Sequence, residues 1–404
     1  MAQQSSNIPN VPKALYVLMA MQFAVGGALI PFMSLVLKEK GLTLEQISWI
    51  FVAASATNLI FPFFWGLLAD RILPLNRLFV ILNVAACAFL LVFSTANTYF
   101  AFVVTYTLFY AFFHPTLSLI NALCFHHMSQ PDDQFGKVRA WGSFGWIVPS
   151  IPIWYALHRY PEWDLSKTVT LALGLCVVAT ASSLFLPHTP SSHHHSREDS
   201  KKQLSYWRSA TKLLQNHDYL VLLVSTFLMV GSFSTVIYYS PPHLVNLGLS
   251  REWIGPLQAF GVIPEIFLFP FLKTFIRKWN YAPCLIVGGL CLTVRQGLFA
   301  YSDHLFILAG SYLLVGLMVI FYLIISSILA NRLATDEIRA TAQSLLILFG
   351  PGCGPIFSNW VAGRLAEAFQ EATSPIFQFA AVQALLATAI IVFRFKGLNA
   401  IRST

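Results

Sequence analysis

The sequence predicts an all-α membrane protein of twelve transmembrane helices arranged as two six-helix halves. Three observations predict it. The chain is 56% hydrophobic and only 10% charged, against about 25% charged in an average soluble domain, so it has too few charges to coat a water-facing surface. Apolar runs of about 20 residues, each enough for a helix to cross a ~30 Å hydrocarbon core, recur almost end to end, and the mean hydropathy is +0.66. The runs divide evenly around one long polar segment, and the ~10-residue alternation of a transmembrane barrel is not seen.

Taken in order, the apolar spans are 14–37, 46–68, 77–95, 98–124, 139–158 and 168–187, then 218–240, 252–275, 282–300, 304–330, 339–362 and 375–395. Span one follows a polar start, Met1 to Lys13, that lacks a signal-peptide pattern, so the span itself should direct insertion. The loop after span two reads Gly66-Leu67-Leu68-Ala69-Asp70-Arg71, and span three opens at Arg77. Span four carries Phe113-His114-Pro115-Thr116 and Asn121. Before span five, Gln134 to Lys137 reads as polar loop, and the apolar run starts at Arg139. Residues 188–217, with His193-His194-His195 and a run of mixed charge, read as a flexible linker rather than a metal site. The domains are therefore 1–187, the linker 188–217, and 218–404. Two charges sit well inside apolar runs, Glu265 in span eight and Arg295 in span nine, and span eleven carries Gly350-Pro351-Gly352.

A faint repeat relates the halves. Lys137-Val138-Arg139-Ala140 opens span five and Glu337-Ile338-Arg339-Ala340 opens span eleven, and glycine and proline follow in both. With both termini in the cytoplasm, eighteen Lys and Arg fall on the inner side and six on the outer, the asymmetry expected of an inner-membrane orientation. That dispersal accounts for the net charge of +8 without a nucleic-acid partner. Cys87, Cys124, Cys176, Cys284, Cys291 and Cys353 show no CxxC spacing and read as small packing residues, neither disulfides nor metal ligands.

Functional candidates are the polar groups set inside apolar runs. Arg139, Ser143 and Trp146 stand at i, i+4 and i+7 and share one helix face, while Gly142 and Gly145 permit close approach of a neighbour. An arginine there either floors a substrate path or snorkels to the cytoplasmic interface. Glu265 follows Pro264 in mid-span. Desolvation favours the neutral carboxyl, which makes Glu265 a candidate for proton coupling; the alternative is a static Glu265–Arg295 ion pair that fixes packing. His114 either titrates or merely satisfies a carbonyl freed by Pro115. Gln22, Asn58, Tyr238, Tyr239, Tyr322, Ser326 and Gln343 are either cavity liners or interhelical bonding residues.

The Gly66–Arg71 stretch with Arg77 resembles the signature loop of the major facilitator superfamily, which implies parallel six-helix repeats around a central substrate site. Leu73 stands where that loop normally has glycine. Within the superfamily, Pro115-Thr116-Leu117-Ser118-Leu119-Ile120-Asn121, Arg139-Ala140-Trp141-Gly142-Ser143-Phe144-Gly145, Leu186-Pro187-His188, Arg295-Gln296-Gly297-Leu298-Phe299-Ala300-Tyr301 and Ile338-Arg339-Ala340-Thr341-Ala342-Gln343 resemble the nucleoside:proton symporter family. The resemblance implies that Arg139, Ser143 and Trp146 contact the nucleoside, and that Glu265 bonds its ribose or takes part in coupling. Glu265, Arg295 and His114 are the proton-coupling candidates. Four positions depart from the family pattern: Val262 replaces a glutamine, Ser234 and Ile237 replace a Gln/Asn pair, and no aspartate stands near Ile320.

The lactose-permease type of oligosaccharide symporter is similar in its opening, Pro31-Phe32-Met33-Ser34-Leu35, but needs a His/Glu pair where Val319 to Leu323 are uncharged. The expected protein is thus a monomeric secondary transporter in the bilayer, importing a small polar metabolite with protons by alternating access. Its first candidate cargo is a nucleoside and its second a saccharide, with facilitated diffusion or efflux as alternatives. No cofactor is expected. Clustered catalytic groups are missing, which speaks against a membrane enzyme.

Overall fold

The structure is a computed structural model that describes residues 11–71, 73–128, 131–186, 189, 211, 213–335 and 338–394. Among the described residues, eleven helices are long and apolar enough to cross a membrane. The twelfth crossing is span five, which runs as two pieces, Pro131–Ile147 and Ser150–Arg159, with Pro149 at the break. The other spans lie where the apolar runs place them. Span one is Lys13–Leu29 continued through Ile30–Phe32 into Met33–Glu39, span two is Leu44–Arg71, and span four is Tyr99–His126. In the second half, span seven is His217–Tyr238 and span eight is Ile254–Leu268 extended to Trp279. Span nine is Tyr281–Tyr301.

One boundary differs. The segment Gln134 to Lys137, expected as loop, belongs to the first turns of span five, which opens at Pro131. Proline is preorganised for the first helical position. Arg139 consequently sits two turns inside its helix. Other ends are set by side-chain caps: Thr98 accepts from the Ala101 amide at 3.2 Å, and Asn216 accepts from Asp218 and Tyr219, groups a helix would otherwise leave unsatisfied. The 188–217 linker, including His193 to His195, lies outside the described residues up to Asn216 apart from Thr189, Thr211 and 213–215.

Large apolar side chains face outward along the spans: Phe100, Phe306 and Phe393 are 75%, 96% and 91% exposed. In water so much bare aromatic surface would drive aggregation; in a bilayer it is the lipid-facing coat. Cys87 and Cys176 are free thiols whose sulfurs approach to 2.9 Å between spans three and six, a pairing that residue spacing alone does not show.

Spans one and five pack with almost no room between backbones. A Cβ on Gly145 would stand 2.0 Å from the Ala20 carbonyl oxygen, and one on Gly27 2.2 Å from that of Trp146. Glycine is required at both, because a methyl would meet backbone that cannot move alone. Gly145→Ala is expected to push the helices apart at an overpacking cost of roughly 1–3 kcal/mol, read as a lower melting temperature of the purified protein. An unchanged melting temperature would contradict the close approach.

Between the halves, polar contacts gather at the end formed by residues 38–48 and 158–165 on one side and 239–252 and 359–371 on the other. Arg251 bonds Glu39, and its Nη2 donates to the Pro161 carbonyl at 2.6 Å. The Leu44 amide donates to Glu371 at 2.7 Å, and Lys38 pairs with the same carboxylate. The Ser48 and Tyr239 hydroxyls are 2.7 Å apart, and Tyr239 donates to Asn359. This end is closed.

Candidate functional site

Arg139 and Glu265 meet across the two halves, Nη2 to Oε1 at 3.9 Å. Span five brings the arginine and span eight the carboxylate. The guanidinium lies over the Phe23 ring of span one, 4.4 Å from its centroid. The space for this is made by Gly142, where a Cβ would stand 2.8 Å from Arg139 Nη1 and 3.1 Å from Phe23 Cδ2. Span eight is seated by small residues in turn: a Cβ on Gly316 would be 2.5 Å from the Gly261 carbonyl and 3.0 Å from Pro264. Arg139 is therefore inside the protein and does not snorkel.

The pair is loose. At 3.9 Å it exceeds hydrogen-bond reach, and Arg139 Nη1 is buried with no partner. Attraction between unit charges at this separation is about 4 kcal/mol at an effective dielectric near 20. That is enough to hold the two together without satisfying the guanidinium's donors. A buried donor left unpaired is costly, so the guanidinium is one acceptor short. Ser143 is buried on the same helix. Trp146 is half-buried, with Cζ3 3.0 Å from where a Gly26 Cβ would lie, so one edge of its ring is taken up by the seam with span one.

Arg295 is placed elsewhere. It is fully buried within the second half, its guanidinium 4.2 Å from the Phe299 centroid and 4.6 Å from that of Tyr312, donating to Ser240 at 3.2 Å. The expected alternative of a Glu265–Arg295 pair is thus incorrect: the carboxylate is taken by Arg139, and Arg295 is held by an aromatic clamp whose first ring comes one helical turn along its own span. Among the described residues no carboxylate forms an ion pair with Arg295.

His114 stacks on Tyr110, ring centroids 4.8 Å apart at 16°. The carbonyl that Pro115 frees is that of Ala111, and it accepts from Trp65 Nε1 at 3.3 Å; His114 does not have that task. Instead it lines a cavity of about 410 Å³ between the halves, together with Asn58, Tyr238, Ser326 and Gln343. The wall is built from spans two, four, seven, ten and eleven, and neither Arg139 nor Glu265 belongs to it. Three other expected liners serve packing: Gln22 bonds Thr116, Tyr239 bonds Ser48, and Tyr322 is fully buried. The side chains of Gly66, Asp70 and Arg71 lie outside the described residues, and Arg77 is exposed at the start of span three.

Phe23, Tyr110 and Arg251 are site or closure residues that the sequence reading passed over. Tyr110 stands four residues before His114, a spacing that puts both rings on one helix face and would have revealed the stack. Phe23 and Arg251 had no local signal.

The profile of the family described as "Nucleoside H+ symporter" matches residues 10–399. The chain is 24% identical over 401 residues to the "Putative nucleoside transporter YegT" of Escherichia coli strain K12, covering 93% of this chain and 92% of that one. It is 25% identical over 354 residues to the "Maltose permease" of Geobacillus stearothermophilus, with 86% of each covered. Among solved structures, a mutant form of the nucleoside transporter NupG superposes with a TM-score of 0.84 at 17% identity, over 96% of this chain and 100% of that chain.

Proposed function

We propose how this chain, which belongs to the nucleoside H+ symporter family and is a multi-pass membrane transporter and not an enzyme, moves its cargo. It imports a nucleoside with a proton by rocking its two halves, and the Arg139–Glu265 contact is the coupling element. One observation carries the reading: opposite charges from opposite halves face each other at 3.9 Å inside the membrane, with an arginine donor still unpaired. A proton on Glu265 removes its charge and loosens the tie between the halves. The freed guanidinium then turns its donors to oxygens of the cargo, a planar fork suited to vicinal acceptors. Loss of the proton restores the pair and favours release. Proton and cargo are coupled because both act on the same tie.

With the positive-inside distribution setting orientation, both termini are cytoplasmic and the end closed by Arg251 and Glu371 faces outward. The cargo path then opens to the cytoplasm, as after delivery. A saccharide is the second reading, favoured by the similarity to the maltose permease. The two are separated by thermal unfolding of the purified protein, because a ligand that binds only the folded state raises the melting temperature. Uridine or adenosine is expected to raise it and maltose to leave it unchanged. Stabilisation by maltose alone would replace the nucleoside by a sugar.

A further inference from the structure

One reactive cluster stands apart from both the charge pair and the cavity between the halves. Span three, Leu75–Ser94, and span six, Ser166–Ser183, pack within the first half, and their seam holds two thiols and a hydroxyl. Cys87 Sγ lies 2.9 Å from Cys176 Sγ and 3.5 Å from the Thr180 hydroxyl. A disulfide bond is about 2.05 Å long, so the sulfurs need close by less than about 1 Å to join. Two sulfurs 2.9 Å apart are too near to flank a metal ion in linear or tetrahedral geometry, where each metal–sulfur bond is about 2.3 Å. The arrangement favours redox chemistry over ligation.

The surroundings decide which reagents reach the thiols. At about 1.5 Å per residue, Cys87 lies about 18 Å along span three from Leu75 and about 10 Å from Ser94, inside the hydrocarbon layer. Cys176 is buried, whereas Cys87 is half-buried on the face that turns Val84 and Leu91 outward to lipid. A charged, water-borne thiol or disulfide is excluded from that layer by the cost of its desolvation; an apolar oxidant dissolved in the bilayer is not. We propose that Cys87 and Cys176 form a reversible redox pair oxidised from the lipid by a quinone, with Cys87 the sulfur that meets the oxidant and Cys176 the one that completes the bond. Both S–H bonds break and one S–S bond forms. The two electrons and two protons pass to the quinone, whose carbonyl oxygens become the hydroxyls of a hydroquinone. Exchange with a dithiol restores both thiols. Spans three and six belong to one half, so the bond staples that half and not the seam between the halves. The pair is independent of the nature of the cargo.

Purified full-length protein in liposomes tests this, treated with a lipid-soluble quinone substituted at every ring carbon so that thiols cannot add to it. Two of the six thiols are expected to disappear, a peptide joining Cys87 to Cys176 to appear in mass spectra, and one hydroquinone to form for each bond. The loop closed between spans three and six is long, so the oxidised protein should melt several degrees higher. Dithiothreitol after solubilisation should return thiols and melting temperature to their starting values. Cys87→Ala and Cys176→Ala should each lose no further thiol and form no hydroquinone; the linked peptide in the parent decides the matter if neither variant folds. Oxidised glutathione, confined to water, should leave the pair reduced in intact liposomes. A full complement of thiols in the quinone-treated parent, equal thiol loss in the alanine variants, or equal oxidation by aqueous glutathione disulfide overturns the proposal.

Discussion

Glu265→Gln protein is expected to lose uphill, proton-driven uptake while still exchanging nucleoside across the membrane. Glutamine matches the carboxyl in size and can hydrogen-bond, but it has no proton to release and no charge with which to hold Arg139. It stands permanently in the place of the protonated side chain. If the tie at 3.9 Å is what a proton loosens, the halves of this variant rock without reference to the proton gradient. Cargo then flows only down its own gradient. In proteoliposomes, accumulation against an imposed gradient should vanish, counterflow should persist, and the response of uptake rate to external pH should flatten.

The substitution leaves Arg139 without its anion. Breaking a fully buried pair costs roughly 3–5 kcal/mol; here the loss should be smaller, because the arginine side chain is 30% exposed. The variant should therefore fold, so transport and stability can be read separately. Undiminished uphill uptake would remove Glu265 from coupling.

How much of this was legible in the sequence follows from what each signal depends on. The spans were legible because a helix must be apolar for its whole crossing, and length and hydropathy are local properties. The start of span five was not, since Gln134 to Lys137 are polar enough for a loop and only the proline at 131 marks the helix. Charges inside apolar runs were conspicuous as well, and Arg139 and Glu265 stood out by composition alone.

Which charge meets which depends on helix rotation and neighbour order, and these are tertiary. Arg295 has the same local signature as Arg139, an arginine in an apolar run, yet it faces Phe299 and Tyr312 inside one half. The residue four ahead, Phe299, hinted at self-satisfaction; Tyr312 from the next span could not. Likewise Asn58, His114 and Gln343 face the cavity while Gln22 turns to Thr116. All four are polar groups in apolar helices, and only the azimuth of each helix separates them. The closure by Arg251 joins Glu39 and Pro161, partners remote in the chain, one at a helix end and one in a loop, whose residues look like ordinary solvated surface.

Arg139→Ala is expected to have the second large effect, a loss of cargo affinity of roughly ten- to a hundredfold. A hydrogen bond to a charged group contributes about 1.5–3 kcal/mol, and each 1.4 kcal/mol is about tenfold in affinity. The donor that would make that bond is already present, buried and unpartnered, at Nη1. Lysine is not a substitute, because one ammonium cannot present the planar fork; Arg139→Lys should recover charge pairing with Glu265 but only part of the affinity. Combining Arg139→Ala with Glu265→Gln separates the two roles of the pair. Each single change strands one member, whereas the double change strands neither, so stability should return towards the parent value while binding stays weak. Non-additivity in stability together with weak binding in the double variant is the signature of a pair that both ties the halves and contacts cargo. Normal affinity in Arg139→Ala would leave the arginine as a tie between halves and nothing more.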